Sequence, residues 1–189
     1  SVTSIGSGAF NDCVSMNSIT IGDSVTSIGN GAFRNCRDLS SISISDSLTL
    51  IEKNTFRNCS GLTSVTIGNG VTGIGEDAFR ACTGLNGIII PESMISIGDG
   101  AFEECSALTG IIIPESVTSI GDGAFAECAN LTDVTIKGES VTFGSDVFSE
   151  SFSAVINYDP NRISLPRTLA DRPVLEQSSS ATSSTPDSS

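Results

Sequence analysis

The residues of greatest chemical reach in this 189-residue chain are six cysteines: Cys13, Cys36, Cys59, Cys82, Cys105 and Cys128, each 23 positions after the last. Thiolates bind zinc and carry redox chemistry, but a zinc site draws on ligand pairs only a few residues apart, and no such pair occurs. Stacked repeats would bring successive cysteines within the Cα range that a disulfide accepts. Parallel side chains in a packed column seldom reach the required torsion, however, and each cysteine has two equivalent neighbours. The spacing therefore predicts buried free thiols that act as small apolar side chains. Their even number says nothing about compartment. With no histidine in the chain, a general base would have to be Asp, Glu or Lys, and a nucleophile Ser, Thr or Cys. No repeat unit holds a constellation of these that the others lack. Neither an enzyme nor a cofactor is expected.

Carboxylates are the other plentiful chemical group: 22 Asp and Glu against 9 Lys and Arg, a net charge of −13. That balance disfavours nucleic acid, whose binding rests on cations that neutralise phosphate, and it disfavours an anionic membrane surface. No apolar run approaches the roughly 18 residues of a membrane-spanning helix. Residues 70–138 hold ten acidic and two basic residues, whereas residues 1–69 hold five and four. Stacking would set Glu92 over Glu115, Asp99 over Asp122 and Glu104 over Glu127. The plain reading is a solubilising edge, with turn and helix-start roles for Asp99 and Asp122. The functional reading is weak binding of a divalent cation or a basic partner along that edge.

What must position all of these is a repeat. Phe10, Phe33, Phe56, Phe79, Phe102, Phe125 and Phe148 keep the 23-residue step, as do Ile5, Ile28, Ile51, Ile74, Ile97 and Ile120, followed by Phe143. Six full units fill residues 1–138, and a seventh, degraded one starts at Glu139. In the unit 116–138, Val117 and Ile120 flank a short extended piece and Gly121-Asp122-Gly123 turns the chain. Ala124 to Cys128 reads as one helical turn, and Val134 and Ile136 alternate with Thr135 in a half-buried strand. One unit cannot enclose its own apolar set, so the core forms between neighbours, with equivalent strands about 4.8 Å apart as rungs of a parallel sheet.

The string Ala-Phe-x-x-Cys-x-x-Leu-x-x-Ile-x-Ile-Pro followed by x-Ser-Val-Thr-Ser-Ile-Gly, plainest from Ala101 to Gly121, resembles the BspA-like leucine-rich repeat family. The resemblance implies an α/β leucine-rich-repeat solenoid: a right-handed, horseshoe-like arc with a parallel sheet of short strands on its concave face and short helical turns elsewhere. Such arrays are often parts of surface or secreted proteins of bacteria and protists and mediate adhesion or protein binding, without catalytic residues. A secreted or cell-surface address is suggested by the resemblance alone. Departures are few. Only units four and five carry the proline (Pro91, Pro114), and unit three replaces Ala with Thr55 and Ser-Ile-Gly with Leu50-Ile51-Glu52.

Residues 1–159 are thus expected to form the repeat domain, residues 160–176 an extended strap, and residues 177–189 a disordered Ser/Thr-rich tail. In the seventh unit Ser151 stands in the cysteine column and Ala154 in the leucine column, and a one-residue deletion would bring Ile156 and Tyr158 to the inward strand positions. At the other end Val2, Ile5, Phe10, Cys13 and Met16 would face solvent, so further repeats or a cap are expected before Ser1. Two glycosylation sequons occur, at Asn58 and Asn130. On the concave strands the outward column reads Thr20, Ser43, Thr66, Ile89, Ile112 and Thr135. Ile89 and Ile112 break its hydroxylic character beside Gly87 and Gly110. The plain reading is strand propensity with tolerance of single surface apolar residues. The functional reading is a contact site for a partner's apolar side chain. The function expected is a non-enzymatic protein-binding or adhesion module whose partner is a protein of unknown identity. The alternatives are a structural spacer arm and, more remotely, an ice-binding surface built on the column Thr3, Thr26, Thr49, Thr72 and Thr118, which Ile95 interrupts.

Overall fold

The computed structural model describes residues 1–158 and 174–176. Every element in it is a strand, and every ladder is parallel. Short strands recur once per coil: β1 (Ser4–Ile5), β2 (Ser27–Ile28), β4 (Leu50–Ile51), β6 (Gly73–Ile74), β8 (Ser96–Ile97), β10 (Ser119–Ile120) and β12 (Thr142–Phe143). From the second coil onward a second series follows the cysteine column: β3 (Ser41–Ile44), β5 (Ser64–Ile67), β7 (Gly87–Ile88), β9 (Gly110–Ile113), β11 (Asp133–Ile136) and β13 (Val155–Tyr158). Partners lie 23 residues apart, as in Ser41↔Ser64 and Asp133↔Gly110. The step shortens to 22 at Val134↔Ile156, which places the one-residue deletion after Ala154.

The expected helical turn is not there. Residues 124–128, and their counterparts in the other coils, form successive turns that contain no helix. The reason lies in two backbone positions, four residues apart, that hold left-handed φ in every coil: Gly31 and Asn35, Asn54 and Asn58, Gly123 and Glu127, among others. A left-handed residue at each end forbids a continuous right-handed turn. The amide groups divide instead. The Ala126 N–H bonds within its own coil to the Gly123 carbonyl at 2.9 Å, while the Phe125 N–H reaches the next coil's Val147 carbonyl at 2.8 Å. A helical turn would have kept those amides inside one coil, whereas this arrangement ties each coil to the next.

Between the two strand series runs the core. The seven phenylalanines form one unbroken stack, with centroids 5.2–5.5 Å apart and planes within 14° of parallel. The cysteines from Cys36 onward are buried and free, and Cys13 is exposed. Their column does more than fill space. Each thiol from Cys36 to Cys128 donates to the phenylalanine carbonyl of the preceding coil, as Cys82 Sγ does to Phe56 at 3.1 Å and Cys128 Sγ to Phe102 at 3.2 Å. Ser151 keeps that bond, its hydroxyl donating to the Phe125 carbonyl at 2.8 Å.

Two interruptions in the ladders have local causes. Where a coil precedes, the glycine that closes a short strand leaves room for it: a Cβ would lie 2.7 Å from the Lys53 nitrogen at Gly75 and 2.8 Å from the Glu76 nitrogen at Gly98. Glu52 stands where that glycine belongs, and the short-strand ladder breaks there, between β2 and β4. The long-strand sheet is likewise split, into β3-β5-β7 on one side and β9-β11-β13 on the other. After β11 the Lys137 N–H adds a bond to the Ile113 carbonyl at 3.0 Å. The equivalent position between β7 and β9 is Pro114, which has no N–H to give. Gly87 and Gly110 also remove the cross-strand side-chain pairs that hold rungs in register.

Of the expected strap over residues 160–176, only β14 (Val174–Glu176) lies among the described residues. It adds a rung to β13 through Ile156↔Val174. The Ser/Thr-rich stretch 177–189 lies outside the described residues, as does the rest of the strap. At the first coil Val2 and Cys13 are exposed, while Ile5, Phe10 and Met16 are half-buried against the second coil.

Candidate binding face

The outward column of the long strands lies on one side, because alternate residues of a strand face opposite ways. Ser43 pairs with Thr66 and Ile112 with Thr135 across adjacent strands. Thr20 is exposed on the first coil, where no long strand forms. Ile89 falls beyond the last paired residue of β7 and is 83% exposed, and Ile112 is 54% exposed. These are two of the few large apolar side chains that the described residues leave in water.

The split in the sheet turns this apolar pair into a concavity. Where β7 and β9 are not laddered, a hollow of about 570 Å³ opens, lined by Ile89, Ile112, Ile88, Gly87, Gly110 and Asp133, among others. Ile88 is half-buried there, whereas its equivalents Val65 and Ile111 are buried. The hollow also reaches Asn86, Thr109 and Thr135. Asp133 was not singled out from the sequence as a site residue. Its place at the head of β11, paired with Gly110 and two residues before Thr135 on the same face, is the signal that marks it. Its carboxylate accepts from the Asn157 amide at 2.8 Å.

The acidic column resolves into separate roles. Asp99 and Asp122 do not start helices. Each accepts the backbone N–H of the following coil, Asp99 from Asp122 at 2.9 Å and Asp122 from Ser145 at 2.6 Å. Glu104 pairs with Arg80 at 2.9 Å, and Arg80 also reaches Glu103 at 2.9 Å. Burial holds the Glu103 carboxyl above its ordinary range; Arg80 opposes this, and the neighbouring charges of Glu104, Asp77 and Glu127 reinforce it. Glu92 lies 3.7 Å from Lys137. Glu115 and Glu127 are exposed.

The other chemically capable groups are absorbed by the fold. Burial pushes the Cys82 and Cys128 thiols up to about 12, far from the thiolate that catalysis or metal binding would need. In the threonine column the hydroxyls of Thr26, Thr72 and Thr118 donate to carbonyls one coil back. Of the sequon asparagines, Asn58 spends its amide on Asn35 at 2.8 Å and Asn130 on the Ser106 carbonyl at 2.8 Å.

The family model for the BspA type leucine-rich repeat region matches in six copies, over residues 1–92 and 51–167. The chain belongs to the BspA-type leucine-rich repeat family. Among solved structures, this BspA-type array is similar to a leucine-rich repeat protein from Bacteroides ovatus, at a TM-score of 0.74 and 26% identity, over 83% of this chain and 47% of that one. It is also similar to a leucine-rich cell surface protein from Faecalibacterium prausnitzii, at a TM-score of 0.60 and 30% identity, over 86% of this chain and 52% of that one. A leucine-rich repeat protein from T. pallidum shares the fold at a TM-score of 0.53 and 24% identity, over 81% of this chain and 72% of that one. The chain spans about half the length of the first two. No protein of curated function matches it. BspA-type arrays are repeat modules, commonly of protein interaction or of surfaces, and generally non-enzymatic.

Proposed function

We propose that this BspA-type array is a non-enzymatic protein-binding or adhesion module that holds its partner on the long-strand face. In this reading the long strands line the inner side of a right-handed arc, and the outward column from Thr20 to Thr135 is the contact surface. The observation that carries the proposal is the hollow between β7 and β9, with Ile89 and Ile112 exposed at its rim. Two adjacent isoleucines facing water form an apolar patch, and an apolar concavity with a few polar groups is the ordinary form of a recognition site. The cell-surface description of the F. prausnitzii relative supports an address of the same kind for this chain.

The unbroken phenylalanine stack favours a second reading, a stiff spacer arm with no ligand of its own. One experiment separates the two. Proteins retained by the immobilised wild-type chain are compared with those retained by an Ile89→Thr/Ile112→Thr variant of equal thermal midpoint. The binding reading predicts a partner kept by the first and lost by the second. A spacer retains nothing in a manner that depends on these residues.

A further inference from the structure

The hollow has a charge as well as a shape, and the two together select an occupant. Asp133 stands in its lining. Glu92 and Glu115 follow the prolines that end the two strands flanking it, and both are exposed. The coils that build it, residues 70–138, hold ten acidic and two basic residues. Both bases are already engaged with carboxylates: Arg80 with Asp77, Glu103 and Glu104, and Lys137 with Glu92. Among the described residues that line the hollow there is no lysine or arginine. Ten acidic against two basic residues leave these coils with a net charge of −8, a field that draws cations and repels anions.

We infer that the segment bound in this hollow is a short extended stretch of basic polypeptide, with apolar side chains on alternate residues and lysine or arginine at its flanks. The inference rests on the binding reading above and names the partner's chemistry. The dimensions agree with it. The lining runs from Val65 on β5 to Thr135 on β11, four rungs, or about 14 Å at ~4.8 Å per step. That is the length of about four extended residues at roughly 3.3–3.6 Å each. A segment crossing the rungs turns every second side chain toward the sheet. Its apolar side chains then meet Ile89 and Ile112, with Gly87 and Gly110 leaving room beside them, and a cation at its flank meets Asp133 on β11.

The test uses the full chain and three fluorescent seven-residue synthetic peptides that share a leucine-threonine-leucine centre, with two flanking residues on each side: lysines, serines or glutamates. Fluorescence anisotropy at low and at moderate salt reads the affinity. The lysine peptide is expected to bind at least tenfold more tightly than the serine peptide, and the glutamate peptide not at all. Its affinity falls several-fold on raising the salt and several-fold in Asp133→Asn, and at least tenfold in Ile89→Thr/Ile112→Thr. Equal binding of the serine and lysine peptides, with loss in the isoleucine variant, overturns the basic partner and leaves the face reading standing. Lysine-peptide binding that the isoleucine variant does not weaken overturns both. Absence of binding by all three peptides overturns the inference about the segment, while the partner-retention comparison still decides the face reading.

Discussion

Replacing Cys82 by alanine and, separately, by serine asks whether the cysteine column is a column of small apolar side chains or of hydrogen-bond donors. Cys82 is fully buried, and its thiol donates to the Phe56 carbonyl at 3.1 Å. That carbonyl also accepts from the Cys59 N–H at 3.1 Å. Alanine removes the sulfur, whose packing is comparable to about one methylene at ~0.8 kcal/mol. It also removes the bond to the second lone pair of a buried carbonyl, worth about 0.5–1 kcal/mol for so weak a donor. The expected cost is about 1.5–2 kcal/mol. Serine loses similar packing but restores a stronger donor, and the molecule already contains the result: Ser151 holds the Phe125 carbonyl at 2.8 Å. Its expected cost is about 1 kcal/mol or less. Urea unfolding followed by circular dichroism reads the difference as a shift of midpoint at constant slope. If the column were merely apolar, the alanine variant would be the more stable of the two, because it buries no hydroxyl. A Cys82→Ala midpoint at or above that of Cys82→Ser refutes the donor role.

Further outcomes follow from other positions. Glu52→Gly restores the glycine that closes a short strand and lets β2 ladder to β4. About 1 kcal/mol for the new hydrogen bond is largely offset by ~0.5–1 kcal/mol of glycine entropy, so the midpoint moves little. Amide exchange at position 52, by contrast, slows about fivefold, and unchanged exchange would show that the glutamate is not what parts the ladder. Ala81 holds left-handed φ at +55° in the column where Asn35 and Asn58 stack amide to amide at 2.8 Å. Ala81→Asn relieves the left-handed strain and extends that ladder, for an expected gain of about 1 kcal/mol in urea; a loss would contradict it. Burial raises the folded-state pKa of Glu103, so its protonated form favours the fold. That contribution is complete below the ordinary glutamate value and is lost as pH rises through the raised one. The midpoint of the wild type relative to Glu103→Gln should therefore increase as pH falls through this window, and a decrease would reverse the assignment.

The period, the core columns and the free thiols were all legible, because they are properties of residue type at a fixed step. Glycine, asparagine or aspartate at residues 8, 31, 54, 77, 100, 123 and 146 also signalled a left-handed position in every coil. The second such position was harder to see, since alanine and glutamate occupy it at Ala81, Glu104 and Glu127. With only one of the pair visible, Ala124 to Cys128 looked like a helical turn. The thiol-to-carbonyl bonds span 26 residues and end on backbone, so no pattern of side chains announces them. Asp99 and Asp122 likewise serve amides one coil away, where local reading placed helix starts. The isoleucine pair could be read as exposed beside its glycines. The hollow beneath it could not, because it lies where β7 and β9 fail to ladder, between coils whose own sequences look alike.

Methyl NMR on isoleucine-labelled protein titrated with the lysine-flanked leucine peptide bears most directly on the proposed binding face. The shifts of Ile89 and Ile112 should move together and saturate, while those of Ile97 and Ile120, buried on the opposite strand series, stay fixed. Saturable binding that leaves Ile89 and Ile112 unmoved would contradict the account.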